Sequence, residues 1–155
     1  MCIRDRPSGT ANFYHLRLFF EAISGRTQSN GFVVNEEDHL IPLPIEAILD
    51  NAPNAIFDSD NIGLLFSDEA IDGQSIQLKL LAQIDELETG MFPKIVGELR
   101  TVSENYYKHY TSLALQKESK DRPFAEPVSV FSNIENGLGI FAGYSTYRDS
   151  VTVVQ

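Results

Sequence analysis

Hydrophobic and polar positions alternate most cleanly between Ser75 and Leu80, where Ile76, Leu78 and Leu80 are separated by Gln77 and Lys79. A period of two places the apolar side chains on one face of an extended strand and the polar ones on the other. Asp72-Gly73 supplies a turn before it. After the Glu88-Thr89-Gly90 turn, residues 94–102 read as a returning strand and a candidate antiparallel neighbour. Residues 11–22 also read as a strand, rich in aromatic and branched side chains, but with imperfect alternation. His15 and Arg17 fall on the same face as Phe13 and Phe19. Ser24-Gly25 and Ser29-Asn30-Gly31 mark a loop or hairpin end, followed by the short apolar piece Phe32-Val33-Val34. Pro44 is placed to open a short helix through Leu49. Residues 55–57 and 62–66 are strand candidates around an Asp58-Ser59-Asp60-Asn61 turn.

The period changes after Val102. Ser103 is a good N-cap, Glu104 sits in the first turn, and Tyr106, Tyr107, Tyr110, Leu113 and Ala114 follow at helical spacing. The pattern predicts a helix near residues 103–119, ended by Pro123 and Pro127. Beyond it, residues 128–131 read as a strand. Residues 137–147 read as a further strand, apolar on both faces and hence central, and 151–154 as a last strand or tail. Strands, one late helix and closing strands predict a mainly β fold. The expected architecture is an antiparallel, sandwich-like sheet of immunoglobulin or fibronectin type carrying that helix.

Composition narrows the possibilities. The six residues Met1-Cys2-Ile3-Arg4-Asp5-Arg6 match a translated sequencing adapter and are set aside as an artefact. Residues 7–155 are then expected to form one β-rich domain, the C-terminal part of a longer protein. Cys2 is the sole cysteine and falls in the set-aside stretch. Disulfides, cysteine-ligated zinc, iron–sulfur clusters and thiol nucleophiles are therefore excluded. The 43% hydrophobic content is that of a globular chain, and no apolar run approaches the ~20 residues of a membrane span. A net charge of −10 argues against nucleic acid, whose phosphates must be neutralised by Lys and Arg.

The candidate chemistry is sparse. Gly137, Gly139 and Gly143 miss the dinucleotide fingerprint, because the third glycine comes one position late and no helix follows. Asp58, Asp60, Gly63 and Glu69 fall on positions one, three, six and twelve of a calcium-type loop. Ile62 and Phe66 stand where oxygen ligands are needed, which favours a simple Asx-type turn. Glu36, Glu37 and Asp38 are adjacent on an extended chain and do not converge. His15, His39 and His109 have no partner at metal-ligand spacing, and no G-x-S-x-G elbow is present. Tyr106, Tyr107 and Tyr110 form an aromatic stripe that either grips a ligand or partner, together with Phe124 on the following loop, or packs on the sheet. No catalytic, cofactor or metal residue is assigned.

The last third of the chain is the most distinctive. Ser103-x-x-Tyr106-Tyr107-x-x-Tyr110 is followed by Pro123-Phe124-Ala125-Glu126-Pro127, and then by Ser132-Asn133-Ile134-Glu135-Asn136-Gly137-Leu138-Gly139-Ile140-Phe141-Ala142-Gly143-Tyr144. This series resembles the bacterial domain of unknown function DUF4249, and Asp68 and Asp72-Gly73 also match its middle section. The resemblance implies a Bacteroidota-type source and a secreted, lipid-anchored precursor with a further N-terminal β-domain. It also implies a place at the cell surface or in the periplasm, beside TonB-dependent outer-membrane receptors, with a role in nutrient uptake. The family brings no catalytic residues with it. The expectation is a non-catalytic structural or binding module of a surface lipoprotein. A carboxylate-based hydrolase and a calcium-stiffened adhesin module are the alternatives.

Overall fold

The computed structural model describes residues 11–22, 27–28, 31–32, 39–48, 55–60, 62–69, 77–82, 94–120 and 126–152. The strands are β1 (Phe13–Ala22), β2 (Thr27–Gln28), β3 (Gly31–Phe32), β4 (His39–Leu43), β5 (Ile45–Ile48), β6 (Ile56–Phe57), β7 (Gly63–Ser67), β8 (Leu80–Ala82), β9 (Lys94–Val102) and β10 (Tyr144–Thr152). The helix α1 (Glu104–Lys120) lies between β9 and β10.

Six strands form one antiparallel sheet ordered β10-β9-β1-β7-β6, with β4 also on β1. β1 is the organiser. Its aromatic and branched residues favour a pleated, covered strand, and it is paired along both edges. β9 runs against Phe13 to Glu21 on one side. On the other side β7 takes Phe13 to Arg17, and β4 takes Leu18 to Ala22. β5 and β8 form a separate antiparallel pair, as do β2 and β3.

The two faces of the sheet follow from the two-residue period. Tyr14, Leu16, Leu64, Phe66 and Leu99 point to one face and enclose Ile45 of β5, with Leu78 and Leu80 packed against them. This is the sandwich core. An apolar cleft of about 340 Å³, bordered by Leu16, Phe66, Leu78 and Leu99, lies between its layers. On the opposite face Leu65 and Val102 meet Tyr106 of α1, with Phe13, Tyr107, Tyr110, Ile140 and Ala142 around them. Over the described residues the fold is therefore mainly antiparallel β with one helix, in keeping with a sandwich-like sheet.

The helix starts where its cap predicts. The Ser103 hydroxyl accepts the Tyr106 N–H at 3.4 Å, and the Ser103 carbonyl accepts that of Tyr107 at 3.0 Å. Glu104 opens the first turn, and Lys117 and Lys120 close the last, each matching the helix dipole.

Four expectations change. Pro44 opens no helix. It separates β4 from β5, and the buried Leu43 and Ile45 on either side draw both segments into strands. β8 begins at Leu80 and pairs with β5, while β9 takes β1 and β10 as its partners. Residues 128–131 form no ladder, because their backbone bonds go to side chains of α1. Residues 137–143 form a loop, and β10 starts only at Tyr144. With all nine residues exposed, β10 is an end strand of the sheet and not a central one. Residues 1–6, the acidic stretch 36–38, Phe124, and residues 153–154 of the anticipated last strand lie outside the described residues.

Candidate functional site

The interrupted alternation of β1 has a structural cause. His15 points toward α1 and is only 4% exposed. Its Nε2 lies 3.3 Å from Asp58 Oδ2, at the turn between β6 and β7, and its Nδ1 lies 3.0 Å from the Tyr106 hydroxyl. Arg100 Nη1 donates to that same hydroxyl at 3.4 Å. A guanidinium can only donate and a carboxylate can only accept. Arg100 therefore gives to the Tyr106 hydroxyl and His15 Nε2 gives to Asp58, while donor and acceptor at the Tyr106–His15 Nδ1 contact follow from the imidazole tautomer. Gly63 faces this ring across the strand. A Cβ there would collide with the His15 ring and with Asp58 Oδ2.

The line continues into Glu98, which is 1% exposed. Arg100 meets Glu98 Oε1 through Nε and Nη2, both at 2.7 Å. Arg148 meets Oε2 through Nε at 2.7 Å and Nη2 at 2.6 Å. The β-ladder sets this up. Glu98 stands opposite Arg17 on one side and Arg148 on the other, and Arg100 is two residues along the same strand face. Burial alone would raise the Glu98 pKa, but the two arginines hold its carboxyl below the ordinary range. Burial also works against Asp58, whose pKa is lowered by the His15 hydrogen bond and the backbone N–H groups of Ile62 and Gly63. For Tyr106, burial wins over the Arg100 hydrogen bond and pushes the phenol up.

An Asp–His–hydroxyl line has the connectivity of a nucleophilic triad. Here the hydroxyl is a buried phenol with a raised pKa, and its oxygen is already shared between Arg100 and His15. The arrangement is built to fasten α1 to the sheet.

Of the two arrangements open to the tyrosine stripe, the three side chains are found packed toward the sheet. Tyr106 turns inward. Tyr107 stacks on Phe13 with ring centroids 4.7 Å apart, and burial with nearby Glu69 raises its pKa. Tyr110 lies against Tyr106 at 4.4 Å. Tyr107 and Tyr110 are half-buried, so the stripe packs on the sheet. The Asp58 turn is of the expected Asx type, with Oδ1 accepting from the Asp60 and Ile62 N–H groups. Among the described residues, no three His, Cys, Asp or Glu side chains are placed to hold a metal.

The outward-facing feature is the loop 132–143. Asn133 closes it by donating to the Phe141 carbonyl and accepting the Phe141 N–H, both at 2.8 Å. The Ser132 hydroxyl donates to the Gly137 carbonyl, and the Asn133 N–H reaches the Gly139 carbonyl. Asn136 (φ 58°) and Gly139 (φ 116°) take the positive-φ positions of the bend. At its start, His109 Nδ1 donates to the Phe131 carbonyl at 2.6 Å, and the Ser112 hydroxyl accepts the Phe131 N–H at 2.8 Å. At its end, Ser103 N–H donates to the Gly143 carbonyl. Ile140 and Ala142 turn in against the helix-side core. Leu138 and Phe141 point out, 95% and 89% exposed.

Comparison with protein families matches residues 2–150 to the family described as Domain of unknown function (DUF4249). The chain belongs to the DUF4249 family. No curated protein and no solved structure matched it. In this DUF4249 chain, the Asn-Ile-x-x-Gly-x-Gly-x-Phe-x-Gly segment forms the clamped loop with its two outward apolar side chains. Among the described residues, no helix of this DUF4249 chain is long and apolar enough to cross a membrane.

Proposed function

We propose that this chain is a non-catalytic binding module of a bacterial cell-surface lipoprotein, working beside an outer-membrane TonB-dependent receptor in nutrient uptake. One observation carries the binding role: the clamped loop holds Leu138 and Phe141 in solvent on a backbone fixed by its own hydrogen bonds. Large apolar side chains held ready in place lose little freedom on docking, which is how an interface anchor gains affinity. The inner polar line supports the same reading, since its titratable groups are occupied with one another. The cell-surface assignment and the TonB-dependent partner rest on the DUF4249 resemblance.

Two measurements test this. Affinity purification from the native outer membrane, with the tagged full-length protein as bait, should retain a TonB-dependent receptor. The Leu138→Ser/Phe141→Ser variant should lose it while melting within a degree or two of the parent, since both side chains lie in solvent. Equal recovery with both baits would remove the loop from the interface. Sequencing upstream at the locus should show a signal peptide ending in a lipid-attachment cysteine, and a cytoplasmic start just before Pro7 would overturn the surface assignment.

A further inference from the structure

Across the middle of the helix-facing side, one row of the sheet reads Arg17 on β1, Glu98 on β9 and Arg148 on β10. With Arg100 two residues along β9, three arginines stand next to one glutamate in the sheet register, and two of them contact its carboxylate, in a chain whose net charge is −10. Their donors are unequally used. Arg100 gives Nε and Nη2 to Glu98 and Nη1 to Tyr106, so each of its nitrogens is engaged. Arg148 gives Nε and Nη2 to Glu98 while its side chain stays 56% exposed, so Nη1 is left over. Both Glu98 oxygens are already occupied by these two residues. Among the described residues Arg17 makes no ion pair, and its Nε is buried without a hydrogen-bond partner. The Phe19 ring lies against its guanidinium at 5.0 Å, and the residue is half-buried.

A buried, unpaired guanidinium donor is costly, because it has given up water and received no acceptor. Its planar fork matches the oxygens of a carboxylate or phosphate. We propose that Arg17 and Arg148 form a binding site for an oxyanion, a carboxylate or phosphate group of a small ligand, with Glu98 and Arg100 as the frame that positions Arg148. The row geometry supports the pairing. Arg17 and Arg148 lie two strands apart, about 10 Å between backbones, and long side chains on one face can converge over the strand between them. The site is on the sheet, not on the 132–143 loop, so it stands whether or not that loop docks a receptor.

Melting of the 155-residue chain in sodium phosphate, sodium citrate and sodium chloride at matched ionic strength tests this. An anion that binds the folded state raises the melting temperature in a saturable way. Phosphate or citrate is expected to give a rise of several degrees over chloride. Phosphate alone identifies a phosphate site, and citrate alone or both anions a site that takes carboxylates. Arg17→Gln and Arg148→Gln should each abolish the rise. Lys94→Gln, which removes a cation already paired with Glu21 at 3.0 Å, should keep it. An equal effect of all three salts overturns the proposal, as does a rise that persists in Arg17→Gln. If Arg17→Gln does not fold, the Arg17 Nε–H NMR signal of the parent decides: it shifts on anion titration, or the site is refuted.

Discussion

On one face of the central sheet Tyr14, Leu16, Leu64, Phe66 and Leu99 enclose Ile45. On the other, the same strands aim His15, Glu98 and Arg100 at the helix. The first face is held by apolar area. Such contacts are undirected, roughly proportional to the surface removed from water, and indifferent to pH. The second face adds to its own apolar cluster around Leu65 and Val102 a line of polar contacts that links Asp58, His15, Tyr106, Arg100 and Glu98. Its members are costly to bury singly, so the line is strong only when complete. One sheet thus carries two kinds of adhesion, back to back, and each predicts its own pattern of failure.

The largest loss is expected on the apolar face. Phe66→Ala removes a ring that is almost fully buried and that stacks on Tyr14 with centroids 5.3 Å apart. It also enlarges a cleft that is already there, so little collapse can compensate. A loss of about 4 kcal/mol is expected, with an unchanged pH profile, measured by urea unfolding. Glu98→Gln is the counterpart on the polar face, with an expected loss of about 2 kcal/mol at pH 7. Its signature is in the pH dependence. The Glu98 and Asp58 pKa values are lowered in the folded state. The stability they contribute is fully present above the ordinary carboxylate pKa of about 4. It is lost as pH falls through their depressed folded values. Unfolding measured from pH 7 down to pH 3 should therefore show a steep acid loss in the parent and a shallower one in Glu98→Gln. Equal slopes would mean that the arginine pairs contribute nothing net. Gly63→Ala gives the smallest change in volume, one methyl group, and should cost about 1 to 2 kcal/mol because that methyl meets the His15 ring. The ring nitrogen signals of His15 should move with it in NMR spectra, whereas Phe66→Ala should leave them in place.

The parts of this fold that were legible in the sequence are those governed by local pattern. Residues 11–22, 62–66 and 94–102 announce β1, β7 and β9 through their apolar content. Ser103 and the tyrosine spacing announce α1 to within a residue or two. The errors arose where distant groups decide. Residues 137–143 are apolar enough for a central strand, yet an apolar run fits equally well on a displayed loop. The choice is made by Asn133, reaching eight residues ahead to Phe141. The polar line was illegible for the same reason. Its members come from β1, the β6–β7 turn, β9, α1 and β10, and only the register of β1, β9 and β10 brings Arg17, Glu98 and Arg148 into one row. The one local sign was the polar pair His15 and Arg17 on a strand face that otherwise reads as apolar. The tyrosine stripe pointed to the right helix face, and packing of that face on the sheet was one of the two arrangements its spacing left open.

The loop that displays Leu138 and Phe141 also bears on resistance to proteolysis. Peptide bonds after exposed leucine and phenylalanine are favoured cutting sites for many digestive proteases. Such enzymes must first draw the chain into an extended strand, and here that would mean opening the Asn133 clamp together with the bonds from Ser132 and Ser103. The segment can therefore show apolar side chains to its surroundings and still keep its backbone out of reach.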